Sequence, residues 1–304
     1  MRIFVTGATG AIGRHAVPAL LDAGHAVTAL ARTPGKAAAL QRRGATPVTV
    51  SLFDRQALAS AFAGHEAVVN LATAIPPMSR FMSTRAMREN HRVRALGSAA
   101  VVDAALDAGV VRVLQESVCM VYRDQADRWI DEESPVDRYP LTRGNFAAES
   151  NAHRFTKEGG AAVVLRFGWF YGPGAAHSEQ MYGLARRHVG LVLGRPDGYV
   201  SSIHMTDAAT AVVAALEAPP GTYNVVDDEP LTKREFADAV ARAAGARPWV
   251  CVPGRAANLF GDRLTSLTRS LRVANVRLRA ATGWAPRHPS AREGWLATAA
   301  ALTP

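Results

Sequence analysis

The chain begins with an apolar run that gives way to three evenly spaced glycines. Residues 1–14 read MRIFVTGATGAIGR, in which Gly7, Gly10 and Gly13 separate the apolar residues 3–5 from a helix-like pattern. Glycines in a strand-to-helix turn leave N–H groups free at the helix N-terminus, where the helix dipole favours a pyrophosphate. The G-x-x-G-x-x-G spacing is one residue longer than the G-x-G-x-x-G dinucleotide fingerprint. The flanking strand and helix favour this nucleotide interpretation over a βα turn that binds nothing.

Beyond this turn, strand-like apolar runs alternate with helix-like stretches. Strands are predicted at residues 26–31, 46–50, 67–72 and 110–115, and helices at 35–43, 55–62 and, as one long element, at about 85–108. Such alternation predicts an α/β fold built on a Rossmann-type, doubly wound parallel sheet with right-handed crossovers. The ligand crevice is expected where the loops 7–13, 32–35, 71–77 and 117–122 converge at the carboxyl ends of the strands.

The composition argues against several classes of protein. At 304 residues the chain suits one large domain or two closely joined ones. Charged residues interrupt each apolar run before it could span a bilayer, and the first strand starts directly after Met1 and Arg2, so neither membrane association nor a signal peptide is expected. Cys119 and Cys251 are the only cysteines, which gives no disulfide framework and no metal-ligand spacing. We therefore expect a cytoplasmic protein without a metal site.

The formal net charge of +9 comes almost entirely from arginine, since the only lysines are Lys36, Lys157 and Lys233. This bias favours a solvated basic surface, so no nucleic-acid partner is expected. For a cluster of arginines near the C-terminus, the alternative interpretation is that their charge attracts a phosphorylated or carboxylated small molecule. Its members are Arg255, Arg263, Arg269, Arg272, Arg277, Arg279, Arg287 and Arg292.

Arg32 stands at the end of the second predicted strand, where an NAD site places an Asp or Glu on the ribose 2′-hydroxyl. An arginine there favours a 2′-phosphate instead, with Arg14 and Lys36 as helpers. We therefore expect NADP as cofactor, in preference to NAD. The alternative is a surface arginine at the start of a loop.

Several further motifs follow in order along the chain: NLATA at 70–74, Asn90, VVRVLQESVCMVY at 110–122, LRFGWFYGPG at 165–174, SSIHMTDAATAVVAAL at 201–216 and YNVVDDEPLT at 223–232. With the glycine turn, they resemble the extended, atypical short-chain dehydrogenase/reductase family. This is the NAD-dependent epimerase/dehydratase group that includes UDP-galactose epimerase. The resemblance covers nearly the whole chain and fades after about residue 250.

The resemblance implies a Rossmann domain over residues 1–168, with a return segment at about 200–226, and a smaller, interwoven substrate lobe made mainly of residues 169–304. A small-molecule substrate would bind between them, and the long fourth helix with its neighbour would form a homodimer interface. The expected cofactor-binding residues are Gly7, Thr9, Gly10, Ile12, Gly13, Arg32, Leu52, Ala72 and Phe167.

The catalytic signature departs from the family pattern, which uses a Ser or Thr on the substrate oxygen, a Tyr as acid or base and a Lys four residues later. Counted back from Tyr122, the Ser position holds Val118, and Ser117 comes one residue early, on the opposite face of a strand. Counted by tyrosine spacing, Tyr139 and Arg143 take the Tyr and Lys positions. Ser117, Tyr139 and Arg143 are thus the candidate catalytic residues.

A second way of counting residues to the family's Tyr and Lys positions is equally compatible with the sequence. If Glu149 matches the glutamate that follows the family's lysine, the two positions hold Leu141 and Asn145, and neither can perform the chemistry. Pro140 and Gly144 favour this count, because they predict that the helix begins late, near Asn145.

Three functional hypotheses follow. The first is an NADP-dependent oxidoreductase or epimerase that acts on a carbonyl or alcohol of a small substrate, which an anionic group would suit. The second is a non-catalytic NADP-binding sensor or regulator, as among NmrA-like relatives, and the third is a non-redox acid/base enzyme on the same scaffold. The altered Ser/Tyr/Lys pattern favours the second and third, whereas the intact C-terminal lobe favours an enzyme.

Overall fold

The computed structural model describes residues 1–76, 80, 83–247, 250–252 and 265–302. A seven-stranded, entirely parallel sheet forms its centre. From one edge to the other, its strands are β12 (Gly221–Val225), β7 (Ala161–Phe167), β5 (Arg112–Val118), β4 (Ala67–Asn70), β1 (Arg2–Thr6), β2 (Ala26–Leu30) and β3 (Thr46–Val48). The predicted doubly wound α/β fold is therefore confirmed. Pro77, Arg255 and Arg263 lie outside the described residues.

Helices cover both faces of this sheet. They are α1 (Gly13–Asp22), α2 (Pro34–Gln41), α3 (Arg55–Phe62), α4 (Thr84–Arg92), α5 (Ser98–Asp107), α6 (Arg143–Lys157) and α8 (Met205–Ala214). Local sequence determines where several of them begin, because Thr33, Asp54 and Ser83 each accept a hydrogen bond from the first turn of α2, α3 and α4. These caps satisfy N–H groups that the helix itself leaves without a partner.

Two helices differ from the prediction. The single long helix expected at about 85–108 consists of α4 and α5 joined by a π-helical turn, Val93–Gly97. The helix expected to begin near Asn145 begins at Arg143, directly after a 3₁₀ turn, Pro140–Thr142. Proline is well tolerated at the start of such a turn, because the first N–H groups of a helix have no partner there.

The core consists of two apolar layers, one on each face of the sheet. Alternation along β1 sends Ile3 and Val5 into the layer under α1 and α8, and Phe4 into the layer under α3 and α5. Phe4 packs edge-on against Phe62, with ring centroids 4.7 Å apart. Because both faces are buried, β1, β4 and β7 are apolar over most of their length, whereas β5 contains four polar residues.

The remaining elements form a smaller lobe beside the carboxyl ends of the strands. They are β6 (Trp129–Ile130), β8 (Trp169–Tyr171), α7 (Ala176–Arg186), β9 (Val189–Leu191), β10 (Tyr199–Val200), β11 (Ser202–His204), β13 (Leu231–Thr232), α9 (Lys233–Ala243), β14 (Val250–Val252), α10 (Thr265–Thr268), β15 (Arg272–Val273), α11 (Val276–Thr282) and α12 (Ala291–Leu302). Tyr171 stacks on Trp295 at its centre, with ring centroids 5.7 Å apart. Among the described helices, none combines the length and apolarity that crossing a membrane requires.

Two buried ion pairs lie between the sheet and the α4–α6 layer. Arg94, in the π-helical turn, contacts Glu116 of β5 at 2.6 Å, and Arg166 of β7 contacts Glu149 of α6 at 2.7 Å. All four side chains are less than one-tenth exposed. Removing one partner of such a pair leaves an uncompensated buried charge, which is strongly destabilising.

We predict that Arg166→Met lowers the free energy of unfolding by about 3–5 kcal/mol, because Glu149 would keep a buried charge without its partner. The matched control is Arg55→Met, which removes an exposed arginine from its pair with Asp107 and should have a much smaller effect. Urea denaturation measures both variants. Equal losses of stability would contradict the structural role given to the buried pair.

Candidate functional site

The glycine turn packs closely against the end of β4. Gly7 has φ +67°, and a Cβ there would lie 2.3 Å from the Leu71 carbonyl oxygen. A Cβ on Gly13 would lie 2.2 Å from the Gly7 carbonyl oxygen, so neither position has room for a side chain. Ile12, at the N-cap of α1, provides no side-chain cap, and the first turn of the helix holds no acidic residue. This cradle, open at the positive end of α1, fits the pyrophosphate of a dinucleotide.

Arg32 is exposed two residues after the end of β2. Within the described residues it forms no ion pair with a carboxylate. Arg14, on the first turn of α1, donates to the Gly174 carbonyl oxygen at 3.2 Å and thereby links the cradle to the turn after β8. The end of β2 thus presents a positive charge to solvent.

The other predicted cofactor residues lie along the same edge of the sheet. Thr9 and Ile12 belong to the glycine turn, Leu52 follows β3, Ala72 follows β4, and Phe167 ends β7. Thr9, Leu52 and Ala72 are half-buried, whereas Ile12 and Phe167 are buried. The structure therefore brings these residues to the carboxyl ends of neighbouring strands, where Rossmann-type folds bind their ligands.

A row of hydrogen-bonded, buried polar side chains lies beneath this edge of the sheet. It was not predicted from the sequence. Thr6 donates to the Asn70 amide oxygen at 2.5 Å, and Asn70 donates to the Gln115 amide oxygen at 2.7 Å. Thr6 and Asn70 are the last residues of β1 and β4, and Gln115 is the fourth of the seven residues of β5, so the row crosses three adjacent strands. The available signal was a polar residue directly after an apolar run in three of the strands.

Ser117 lies within a second buried network, beneath α6. It is fully buried, and its hydroxyl donates to Glu149 at 2.6 Å. Arg166 holds the same carboxylate with two hydrogen bonds and donates a third to the Tyr122 hydroxyl at 3.0 Å. Tyr122 donates in turn to Asn224 at 2.7 Å. Although burial disfavours the charged form, the hydrogen bonds with Glu149 raise the pKa of Arg166.

Tyr139 and Arg143, the other two catalytic candidates, lie in different surroundings. Tyr139 is buried, donates its hydroxyl proton to the Met120 carbonyl oxygen at 3.0 Å, and has the Arg269 guanidinium 4.5 Å from its ring centre. Arg143 is exposed at the first residue of α6, where its charge contributes to lowering the pKa of His91, after burial and Arg94. The 3₁₀ turn separates Tyr139 from α6, so the two residues do not share a helical turn.

Of the residues that the second count aligns with the family, Asn145 and Glu149 lie on the buried face of α6. Asn145 and Glu149 are four residues apart on one helix, and both are buried. The Nδ2 atom of Asn145 is buried and has no hydrogen-bond partner among the residues that the structure describes, which is costly for an amide. Leu141 lies half-buried in the preceding 3₁₀ turn.

A largely apolar cavity of about 240 Å³ opens where β5 ends. Cys119 and Met120, which follow β5, form one wall, and the lobe provides Trp169, Met181, Leu184, Phe236 and Leu271. Two cationic side chains, Lys233 and Arg269, also line it. Burial raises the pKa of the Cys119 thiol to about 12, so this residue is neutral near pH 7 and unsuited to act as a nucleophile.

One cluster among the described residues has the atoms needed to hold a metal ion: His204, Asp207 and His288, with ligand atoms within 4.8 Å of one another. Asp207 already accepts the backbone N–H groups of Arg287 and His288 and bonds the His288 ring at 2.8 Å. Although burial opposes ionisation, hydrogen bonds from His288 help to lower the pKa of Asp207. We interpret the cluster as a set of hydrogen bonds that holds the segment before α12 against α8. The absence of a metal site stays a prediction.

Comparison with known proteins identifies the family. The model of the NAD dependent epimerase/dehydratase family matches residues 3–225. The chain belongs to this family. The resemblance inferred from the motifs is thereby confirmed, and the protein is an NAD(P)-binding enzyme of the oxidoreductase and epimerase type. Family membership also favours an enzyme over a sensor.

Two curated relatives are similar along most of their length. A 3-diazoavenalumate denitrifying reductase from a Streptomyces species is 36% identical over 97% of this chain and 99% of its own. A 4-hydroxy-2-methyl-3-oxo-4-farnesyl-3,4-dihydroquinoline-1-oxide ketoreductase from Stigmatella aurantiaca is 28% identical over 89% of this chain and 82% of its own. Both are named as reductases.

Solved structures match the whole fold. Human epimerase family protein SDR39U1, determined with NADPH, superposes with a TM-score of 0.84 at 25% identity and covers 99% of both chains. UDP-glucose 4-epimerase from Thermotoga maritima, determined with UDP-glucose, has a TM-score of 0.81 at 21% identity and covers 99% of this chain and 98% of its own. At that identity the second match is informative for the fold alone.

Proposed function

We propose that this protein is an NADPH-dependent reductase of a small, largely apolar substrate. The observation that carries the proposal is the apolar cavity at the end of β5, on the same sheet edge as the dinucleotide cradle. Aromatic and aliphatic walls favour an aryl or alkyl body over a sugar nucleotide. The names of the Streptomyces and Stigmatella relatives, a reductase of a diazo compound and a ketoreductase of a farnesylated dihydroquinoline oxide, support assignment as a reductase, and the second name supports an apolar substrate.

The cofactor would be held by residues already described. The N–H groups of the turn between Gly7 and Gly13 would receive the pyrophosphate, and Arg32 would receive the 2′-phosphate, with Lys36 as helper. When bound, NADPH supplies a hydride. The preference for NADPH rests on Arg32 and is supported by the human relative, whereas the protein MoeE5 of similar fold was solved with NAD.

We predict that Arg32→Ala weakens NADPH binding about tenfold or more and leaves NADH binding unchanged, because a charge-assisted contact to the 2′-phosphate is lost. Arg42→Ala, another exposed arginine close by at the end of α2, is the matched control and should bind both cofactors as the unchanged protein does. Calorimetric titration measures both dissociation constants. An unaltered preference for NADPH in Arg32→Ala would contradict the assignment.

Reduction of a carbonyl requires a proton for the developing alkoxide, and we propose Tyr139 as its source. The contacts of Tyr139 support this role, because Met120 and Arg269, which hold its hydroxyl and its ring, both line the cavity. A cation beside the ring favours the tyrosinate left after proton transfer. In this proposal Arg269, and not Arg143, takes the place of the family's lysine, and Ser117 is a structural residue.

A second candidate function is reduction without a general acid, which the buried Asn145 and the half-buried Leu141 favour. An acceptor that is already cationic, such as an aryl diazonium ion, takes up hydride to give a neutral aryl diazene. Loss of dinitrogen then leaves a C–H bond, so no side chain has to supply a proton. The Streptomyces relative is named a denitrifying reductase of a diazo compound.

We predict that Tyr139→Phe lowers kcat for carbonyl reduction by about 10²- to 10⁴-fold, the usual contribution of a positioned acid. Tyr223→Phe is the matched control, since that hydroxyl also donates to a backbone carbonyl, of Pro219, and should leave kcat unchanged. The assay follows NADPH oxidation with a panel of aryl ketones. Full activity in Tyr139→Phe would exclude Tyr139 as the acid and favour acid-free reduction.

A further inference from the structure

The cavity contains a lysine in an unusual setting. Lys233 is the first residue of α9, whose start is fixed by a capping box between Thr232 and Glu235. The backbone N–H of Lys233 donates to the Gly198 carbonyl oxygen at 2.8 Å. Its side chain is only 7% exposed and turns into the cavity wall. Helix geometry and local hydrogen bonds therefore hold this cation in place.

The ammonium group of Lys233 has neutral partners. Its Nζ donates to the carbonyl oxygens of Leu267 and Thr268 at 2.8 and 2.7 Å, which uses two of three donors. A Cβ on Gly194 would lie 2.8 Å from Nζ, so the group is closely packed on that side as well. These carbonyl oxygens accept hydrogen bonds from the ammonium group but do not neutralise its positive charge.

No carboxylate forms an ion pair with Lys233 in the part of the chain that the structure describes. Burial lowers the pKa of this lysine to about 8, and Asp124 opposes the shift only from a distance. Arg269, the other cation of the cavity, differs because it already pairs with Asp137 and donates to the Tyr122 carbonyl oxygen. A buried charge is costly unless a counter-charge meets it.

We propose that Lys233 binds the carboxylate of the substrate, so that the cavity accepts an aryl or similarly apolar carboxylic acid. One cation in an apolar wall suits a single negative charge, whereas a phosphate dianion needs several donors. The walls formed by Trp169, Met181 and Phe236 receive the apolar body. Met120, whose carbonyl oxygen accepts the hydrogen bond of Tyr139, lines the same cavity, so an acid bound at Lys233 shares this space with the proposed proton donor's partner.

This inference rests on the proposed reductase function, which it makes more specific, and its test therefore uses binding without turnover or cofactor. Isothermal titration calorimetry compares trans-cinnamate with cinnamamide, which has nearly the same shape without the charge. The unchanged protein should bind cinnamate at least tenfold more tightly than cinnamamide, because a charge-assisted hydrogen bond exceeds a neutral one by about that factor. This comparison requires no variant.

Lys233→Met should lose the tenfold preference and bind cinnamamide as before, since it keeps the apolar stem and removes the charge. Lys157→Met, at the exposed end of α6, is the control and should keep the preference. Equal binding of acid and amide by the unchanged protein, no binding of cinnamate, or an intact preference in Lys233→Met overturns the inference. Acid-selective binding in a protein that does not oxidise NADPH would uphold it and reject the reductase function instead.

Discussion

The hydrogen-bonded ion pair between Glu149 and Arg166 is the interaction on which the rest of this structure depends. It joins α6 to β7 beneath the carboxyl ends of the strands, and Ser117, Tyr122 and Asn224 complete its hydrogen bonds. Because a buried charge requires full compensation, these partners have little freedom to move. The network thereby fixes the end of β5, from which the cavity begins, and in the proposed function it gives Ser117 a structural role.

Above this network, the carboxyl edge of the sheet carries two neighbouring features of different character, the charged cradle and the apolar cavity. The glycine turn and Arg32 present backbone N–H groups and positive charge to solvent, which suits a phosphorylated cofactor. The cavity between β5 and the lobe presents apolar walls, which include Lys233 and also Met120, the residue whose carbonyl oxygen accepts a hydrogen bond from Tyr139.

Local sequence was sufficient to predict the cradle and the sheet, because the glycine spacing is visible in a short stretch and strand alternation is regular. Gly13 is required by a contact within the turn, whereas Gly7 is required by its positive φ and by its contact with Leu71 after β4. The site beyond the cradle was harder to predict. Arg94, Arg166 and Lys233 are indistinguishable in sequence from the many basic surface residues, and only the fold brings them to buried partners or into a cavity. The sequence predicts too late a start for α6 because Pro140 and Gly144 are typical helix breakers, whereas the 3₁₀ turn in the structure accommodates the proline.

The most direct test of the central claim, that cradle and cavity form one reductase site, is a crystal structure with NADP⁺ and trans-cinnamate. We predict the pyrophosphate against the turn from Gly7 to Gly13, the 2′-phosphate at Arg32, and the aromatic acid in the cavity with its carboxylate at Lys233. The nicotinamide ring should face the end of the acid that lies nearer to Met120. Cinnamate bound outside the cavity, or separated from the nicotinamide by protein side chains, would contradict the claim.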